Sequence, residues 1–288
     1  MIKITKKEED LFLRLYDLLF LDREYIRNYL YMKPDGSLYS EFLIKRNTQV
    51  LEKEGYIKSV SILKDTVGGE RKAYTLDKKG VEEVEVLIGD KVEWDTRWTD
   101  RTPSYIYHSL RVAYVQGAME KGFTEFFEYV EFISEKRSYF RYGELKDAVI
   151  RPDGALIFKR EFNGQDYYFL YFIEMERSRQ RRDVTLKKLQ RYNAYCKKKA
   201  HAEHSAIEYP IAYVGILFIC NTNGERDNLY KSINKVPTPS IGGIYIGTYE
   251  DVIQNPFGDI WRGKDSADQD AFYFMGKAIR KESGHETR

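Results

Sequence analysis

The sequence predicts a mixed α/β protein, α+β overall. It divides into a helix-rich domain over 1–89, a connection over 90–103 and a sheet-centred domain over 104–288. Three observations carry that reading. Apolar spacing is helical through the first fifty or so residues and then alternates, as a hairpin requires. Asn163-Gly164 stands between two apolar, aromatic runs, ALIF and YYFLYFI, the strongest short-range mark of a two-residue hairpin. The run IAYVGILFIC, from Ile211 to Cys220, is apolar on both faces, as a strand covered by helices on both sides must be. With 288 residues, 42% hydrophobic and 15% aromatic, the chain can fill two cores. Net charge is only +2, so any affinity for a polyanion must come from local basic patches. Cys196 and Cys220 lack metal or redox spacing and fit a reducing cytoplasm as buried or free thiols. No apolar run approaches the roughly 18 residues that span a bilayer, which argues against a membrane partner.

In the first domain, leucines, Phe12 and Tyr16 recur at helical spacing from Lys6 to Phe20. Asp22 caps a short second helix through Tyr31, ended by the Pro34-Asp35-Gly36 turn. Ser40 caps a third helix to about Glu54, stopped by Gly55. Tyr56 to Leu63 alternates as a strand, Val67-Gly68-Gly69-Glu70 makes a tip, Lys72 to Leu76 returns, and Leu76 to Gly80 opens a fourth helix. Three helices followed by a hairpin suggest a helix-turn-helix variant. The order, with NTQVLEKEGYI leading into the hairpin, resembles bacterial winged helix-turn-helix proteins. That resemblance implies double-stranded DNA as partner, with the third helix in the major groove. Helical spacing makes Lys45, Arg46, Thr48 and Gln49 its exposed candidates and turns Leu43, Val50 and Leu51 inward. Lys64, Arg71 and Lys72 on the wing would hold phosphates. The alternative is a protein-docking winged helix whose charges are merely solvated.

Residues 90–103 lose periodicity and collect charge and two tryptophans, the marks of a connection. Ser104 to Gly122 recovers helical spacing, and its single His108 reads as structural. FTEFFEYVEFISE is a strand ending near Glu135. The hairpin follows, then a helix from about Asp183 to Lys199, the buried strand at 211–220, a further helix, and a last strand, GIYIG, at Gly243 to Gly247.

The hairpin fixes a register. If Phe162 faces Gln165, counting outward puts Asp153 opposite Glu174 and Arg151 opposite Glu176, about 5 Å apart at Cβ. Two carboxylates that close repel and need a cation or a shared proton. Mg²⁺, with Mn²⁺ as its substitute, held by Asp153 and Glu174, is one solution. Neutralisation by Arg151 and Arg177 without metal is the other. An Asp after a Pro, a hairpin, a carboxylate ending the second strand and then a helix resembles the PD-(D/E)xK nuclease fold. Pro152-Asp153 matches its first element and Glu174 its second, while Glu176 stands where the fold's Lys is expected. The resemblance implies a catalytic set of Asp153, Glu174, Glu176 as a third carboxylate, and Lys188 and Tyr192 in place of the missing Lys. Those last two are four apart and share a helix face. The basic residues Arg177, Arg179, Arg181, Arg182, Lys187 and Arg191 beside this site form either a phosphate track or a solvated surface. HAEH, at His201 to His204, lacks the spacing of an HUH relaxase and reads as a loop.

The winged helix, the helix SYIYHSLRVAYVQGAME, and the runs RPDG, IEMERS and KLQRY together resemble the replication-relaxation family of Gram-positive plasmids and mobile elements, up to about residue 250. The resemblance implies a part in plasmid replication and DNA relaxation, and the leading reading is a cytoplasmic protein that binds origin-like DNA, with a homodimer among the expected partners. It would act either as a metal-dependent nickase or as a non-catalytic regulator carrying a degenerate nuclease fold.

Overall fold

Helix α1 (Lys6–Leu18) starts at a reciprocal cap, in which the Thr5 hydroxyl and backbone N–H engage Glu8. The computed structural model describes residues 2–33, 35–62, 71–122, 127–176 and 182–264. They fall into two units, 1–117 and 118–288.

In the first unit a two-residue strand, β1 (Leu21–Asp22), leads into α2 (Arg23–Tyr25), which widens into a π-type turn over Ile26–Leu30. Asp22 caps it, accepting from the Tyr25 N–H at 2.8 Å. Ser40 caps α3 (Glu41–Lys53), and Gly55, at φ +82, takes the left-handed conformation that releases the chain from it. Strands β2 (Ile57–Ile62) and β3 (Arg71–Leu76) pair antiparallel and α4 (Lys78–Ile88) follows, capped by Asp77. The sheet gains a third member that sequence patterning does not show, because two residues of β1 are too few to display a period; its order is β1-β3-β2. The expected hairpin tip and Lys64 lie outside the described residues.

Two expectations for this unit need correction. The buried stripe of α3 is Ile44, Thr48 and Leu51, spaced i, i+4, i+7, and Leu43 and Val50 are exposed. Thr48 is 0% exposed and hands its hydroxyl to the Lys45 carbonyl at 3.0 Å, so it cannot reach a base edge. Lys45, Arg46 and Gln49 are exposed as expected. Arg71 does not project from a wing: its guanidinium pairs with the buried Asp22 carboxylate, which also accepts from the Tyr114 hydroxyl at 2.8 Å. A buried carboxylate needs a cation, and the strand position of Arg71 supplies it. Lys72 is half-buried, with its ammonium 3.4 Å from the Ser59 hydroxyl.

Helix α5 (Pro103–Lys121) starts within the first unit. Its Ile106 and Leu110 join Leu19, Phe20 and Ala73 in one core, with Trp94 and Trp98 packed against it, and Gln116 accepts from the Tyr25 hydroxyl at 2.6 Å. By contact the first unit extends to 117, and the stretch 90–103 carries Trp94 and Trp98 onto its core.

The second unit is built on β4 (Glu128–Ser134), a short ribbon of β5 (Phe140–Arg141) with β6 (Val149–Ile150), then β7 (Gly154–Phe162) and β8 (Gln165–Met175). Helix α6 (Arg182–Lys197), β9 (Ile211–Cys220), α7 (Asn223–Ile233), β10 (Gly243–Thr248), α8 (Tyr249–Gln254) and β11 (Arg262–Gly263) follow. The six-stranded sheet runs β11-β10-β9-β8-β7-β4. Its inner pairs β8–β9 and β9–β10 are parallel, since α6 and α7 provide the crossovers; its outer pairs are antiparallel. The turn Asn163-Gly164 sits at φ +53 and +76, both left-handed, and sets the register from Phe162↔Gln165 to Gly154↔Ile173. Leu189, Tyr192 and Tyr195 of α6 bury against Phe172, Ile216 and Phe218 of the sheet.

Cys196 and Cys220 are free and buried, and burial pushes both thiols up to about 12. His204 packs on the Phe140 ring at 4.2 Å with Nε2 2.9 Å from the Tyr139 carbonyl, so the HAEH run serves packing. Among the described residues no helix is long and apolar enough to cross a membrane.

Candidate functional site

The ladder between β7 and β8 ends at Gly154↔Ile173, and Asp153 lies one residue beyond it, level with Glu174. Its N–H still donates to the Ile173 carbonyl at 3.0 Å, and its Oδ2 accepts from the Met175 N–H at 2.7 Å. Glycine is required at 154: a Cβ there would sit 2.4 Å from the Phe132 ring of β4. Pro-Asp-Gly thus holds an Asp at the strand start while Phe132 of the neighbouring strand packs on Gly154.

Glu174 is the penultimate residue of β8 and is 1% exposed. Its Oε1 accepts from the Tyr192 hydroxyl at 2.5 Å and its Oε2 is paired with the Lys188 ammonium. Both partners come from one face of α6, as their spacing of four demands. Burial raises the Glu174 carboxyl above the ordinary carboxylate range, with Lys188 pulling against it and Asp153 adding to it. Burial pulls Lys188 down, but Glu174 outweighs it and keeps the ammonium above its usual range. Burial likewise lifts the Tyr192 phenol well above normal, so this hydroxyl acts as a fixed donor. The group that neutralises Glu174 is therefore Lys188; Arg177 lies outside the described residues.

Glu176 stands two residues on, on the same face, with its carboxylate 3.3 and 3.4 Å from the Thr185 hydroxyl. Burial raises its carboxyl too. The expected pairing of Arg151 with Glu176 does not form. The Glu176 N–H turns to the Ile219 carbonyl at 2.9 Å, and Arg151 lies over the Tyr139 ring at 4.6 Å. The antiparallel ladder stops before reaching them, and β9 takes up the end of β8 instead.

Glu174, Lys188 and Tyr192 open onto a cavity of about 360 Å³. Four cations, Lys146, Arg151, Lys188 and Arg191, line it against two acids, Asp147 and Glu174. Lys146 belongs to the β5–β6 connection, which sequence reasoning passed over; the only signal was the alternation of SYFRY and AVI about GELKD. Of the basic strip, Arg177, Arg179 and Arg181 lie outside the described residues, as does the Arg182 side chain. Lys187 is exposed and does not line the cavity, whereas Arg191 does.

Among the described residues no three His, Cys, Asp or Glu side chains gather closely enough to cage a metal ion. Mg²⁺ makes a smaller demand. It binds through one or two carboxylates and takes its other oxygens from phosphate and water. Asp153 and Glu174 are carboxylates of that kind, with both Glu174 oxygens held by Tyr192 and Lys188 and Asp153 Oδ2 accepting from the Met175 N–H.

The chain matches no family model and no curated protein. Among solved structures it is similar to the restriction endonuclease FokI, at TM-score 0.31 and 14% identity, over 88% of this chain and 44% of that one. It is similar also to FokI bound to DNA, at TM-score 0.28 and 11% identity, over 88% and 45%. The chain spans less than half the length of either.

Proposed function

We propose that this chain is a DNA-binding protein whose second unit is a variant nuclease of the PD-(D/E)xK kind, nicking DNA with Mg²⁺ or Mn²⁺ at the Asp153–Glu174 pair. The observation that carries this is the convergence on buried Glu174 of Lys188 and Tyr192, beside Asp153 and at the wall of a cation-lined cavity. Asp153 and Glu174 would hold the metal, which would supply Lewis-acid charge to the scissile phosphate and the attacking water. Lys188 would orient that water or a phosphoryl oxygen, and Tyr192 fixes the Glu174 rotamer by donating to Oε1. Arg151, Lys146 and Arg191 would seat the phosphate backbone. Glu176 would hold Thr185 and the start of α6 in place, with a ligand role only if its carboxylate turns from that hydroxyl.

The first unit we read as a winged helix-turn-helix that lays Lys45, Arg46 and Gln49 of α3 against duplex DNA. A place in plasmid or mobile-element replication and relaxation, on origin-like DNA, is what the sequence resemblance implies and belongs to the same proposal. So does a homodimer.

One observation favours a second reading, a regulator with a degenerate nuclease fold: both Glu174 oxygens already have protein partners. Supercoiled plasmid incubated with the protein and Mg²⁺ or Mn²⁺ separates the two. Nicking that disappears in Glu174→Ala supports the nuclease, while salt-sensitive binding without nicking supports the regulator. Calorimetric Mg²⁺ titration of wild type and Asp153→Ala tests the metal separately; equal, negligible heats would end that claim.

A further inference from the structure

The ribbon β5–β6 is a separate two-stranded sheet, and beyond Lys146 and the adjoining Arg151 it has no role assigned so far. It lies against the cavity, since Val149, Ile150 and the adjoining Arg151 form part of the wall. Three features of it are unusual together. Leu145, at its tip, is an apolar side chain 73% exposed. The tip is not slack: the Arg141 guanidinium reaches back to the carbonyls of Gly143 at 3.3 Å and Leu145 at 3.5 Å. At the ribbon's base Tyr139 is 41% exposed, with the Arg151 guanidinium 4.6 Å from its ring centroid and Arg141 donating to its hydroxyl at 3.1 Å.

The Arg151 and Arg141 guanidinium groups lie over the Tyr139 ring at 4.6 and 5.9 Å, and the part of the ring left exposed is a surface on which a nucleobase can stack while its phosphates meet those cations. A paired base offers no free face. A protruding aliphatic residue beside such a platform is the kind of side chain that enters between bases at an opened step. Ribbon charges favour a polyanion, with Arg141, Lys146 and Arg151 against Glu144 and Asp147, while Arg191 and the Lys188–Glu174 pair line the same cavity.

We propose that the β5–β6 ribbon selects unpaired DNA for the Asp153–Glu174 site, with Tyr139 stacking on a displaced base and Leu145 wedging at the junction between paired and unpaired strands. The inference rests on the nuclease reading and names its substrate class.

The test is fluorescence anisotropy in EDTA with three labelled oligonucleotides of equal length: a full duplex, a single strand, and a forked duplex. Wild type is expected to bind the fork about tenfold more tightly than the duplex. Tyr139→Ala should lose about that factor on fork and single strand, as removal of one stacked base does. Tyr139→Phe should retain it. Leu145→Ser should lose preference for the fork while keeping single-strand affinity. Equal binding of fork and duplex by wild type, or an unchanged preference in Tyr139→Ala and Leu145→Ser, overturns the proposal and leaves the nuclease reading standing. Failure to bind any of the three overturns both.

Discussion

Glu174 and Asp22 solve the same problem in the same way, with different consequences. Each is a carboxylate nearly closed off from water, and each is met by one cation and one tyrosine hydroxyl: Lys188 with Tyr192, and Arg71 with Tyr114. Asp22 also accepts a backbone N–H as a helix cap, so every part of its surroundings has a structural use. Arg71→Ala is expected to cost about 1–3 kcal/mol, the lower end reflecting a guanidinium partly open to solvent, and a urea midpoint would show it. At Glu174 the balance depends on pH. Burial raises this carboxyl, so its contribution to stability is full below the ordinary carboxylate range and is lost as pH rises through the raised folded value. Lys188 opposes that loss, while Asp153 adds to it and the Tyr192 phenol stays neutral. Lys188→Ala should therefore destabilise by about 3 kcal/mol near neutral pH and much less near pH ~4, with urea midpoints in EDTA as the measure. An equal deficit at both values would mean that Lys188 acts by packing alone. The pairing of Asp153 with Glu174 was legible in the residues, because a turn with one allowed register transmits position along two strands by counting. Arg151 was not, because counting fails where the ladder ends.

At the scale of elements, the Asn163-Gly164 turn carries the most consequence for the least mass. Both residues are left-handed, and Gly164 at φ +76 tolerates no β-branched side chain without strain. Gly164→Val should cost about 1–2 kcal/mol. It should also lower any Mg²⁺-dependent nicking, since the same turn aligns Asp153 with Glu174; Gly164→Asn should keep both. Full nicking by a destabilised Gly164→Val protein would separate the turn from the site. Helix α3 shows the limit of periodicity. Three apolar residues, Leu43, Val50 and Leu51, define a stripe about as well as Ile44, Thr48 and Leu51 do, and only packing chose the second. Its outward face mixes Lys45, Arg46 and Gln49 with Phe42 at 71% exposure, Leu43 and Val50. Lys45→Glu with Arg46→Glu should weaken duplex binding at least about tenfold through phosphate contacts, whereas Thr48→Val should alter stability and leave binding unchanged. Electrophoretic shifts on one duplex would distinguish them.

For the whole molecule, 47 basic and 45 acidic residues leave little long-range pull on DNA. Affinity must come from contacts such as those of the cavity and α3, each releasing counterions. Duplex binding should then fall about tenfold or more between ~50 and ~200 mM salt. A flat salt profile would remove the phosphate contacts from the proposal. The main helices and strands, the burial of β9 from Val214 to Cys220, the caps at Asp22 and Ser40 and the facing of Asp153 with Glu174 were set by the residues themselves, through backbone periodicity, turn chemistry and strand counting, whereas the two-residue strands β1, β5 and β6 are too short to show a period. These are short-range constraints. Tertiary structure alone decided that Arg71 serves Asp22, that α5 begins in the core of the first unit, that Lys188 neutralises Glu174, and that the β5–β6 ribbon walls the cavity. Each depends on which surfaces meet after burial, a choice made by packing and desolvation among residues far apart in the chain.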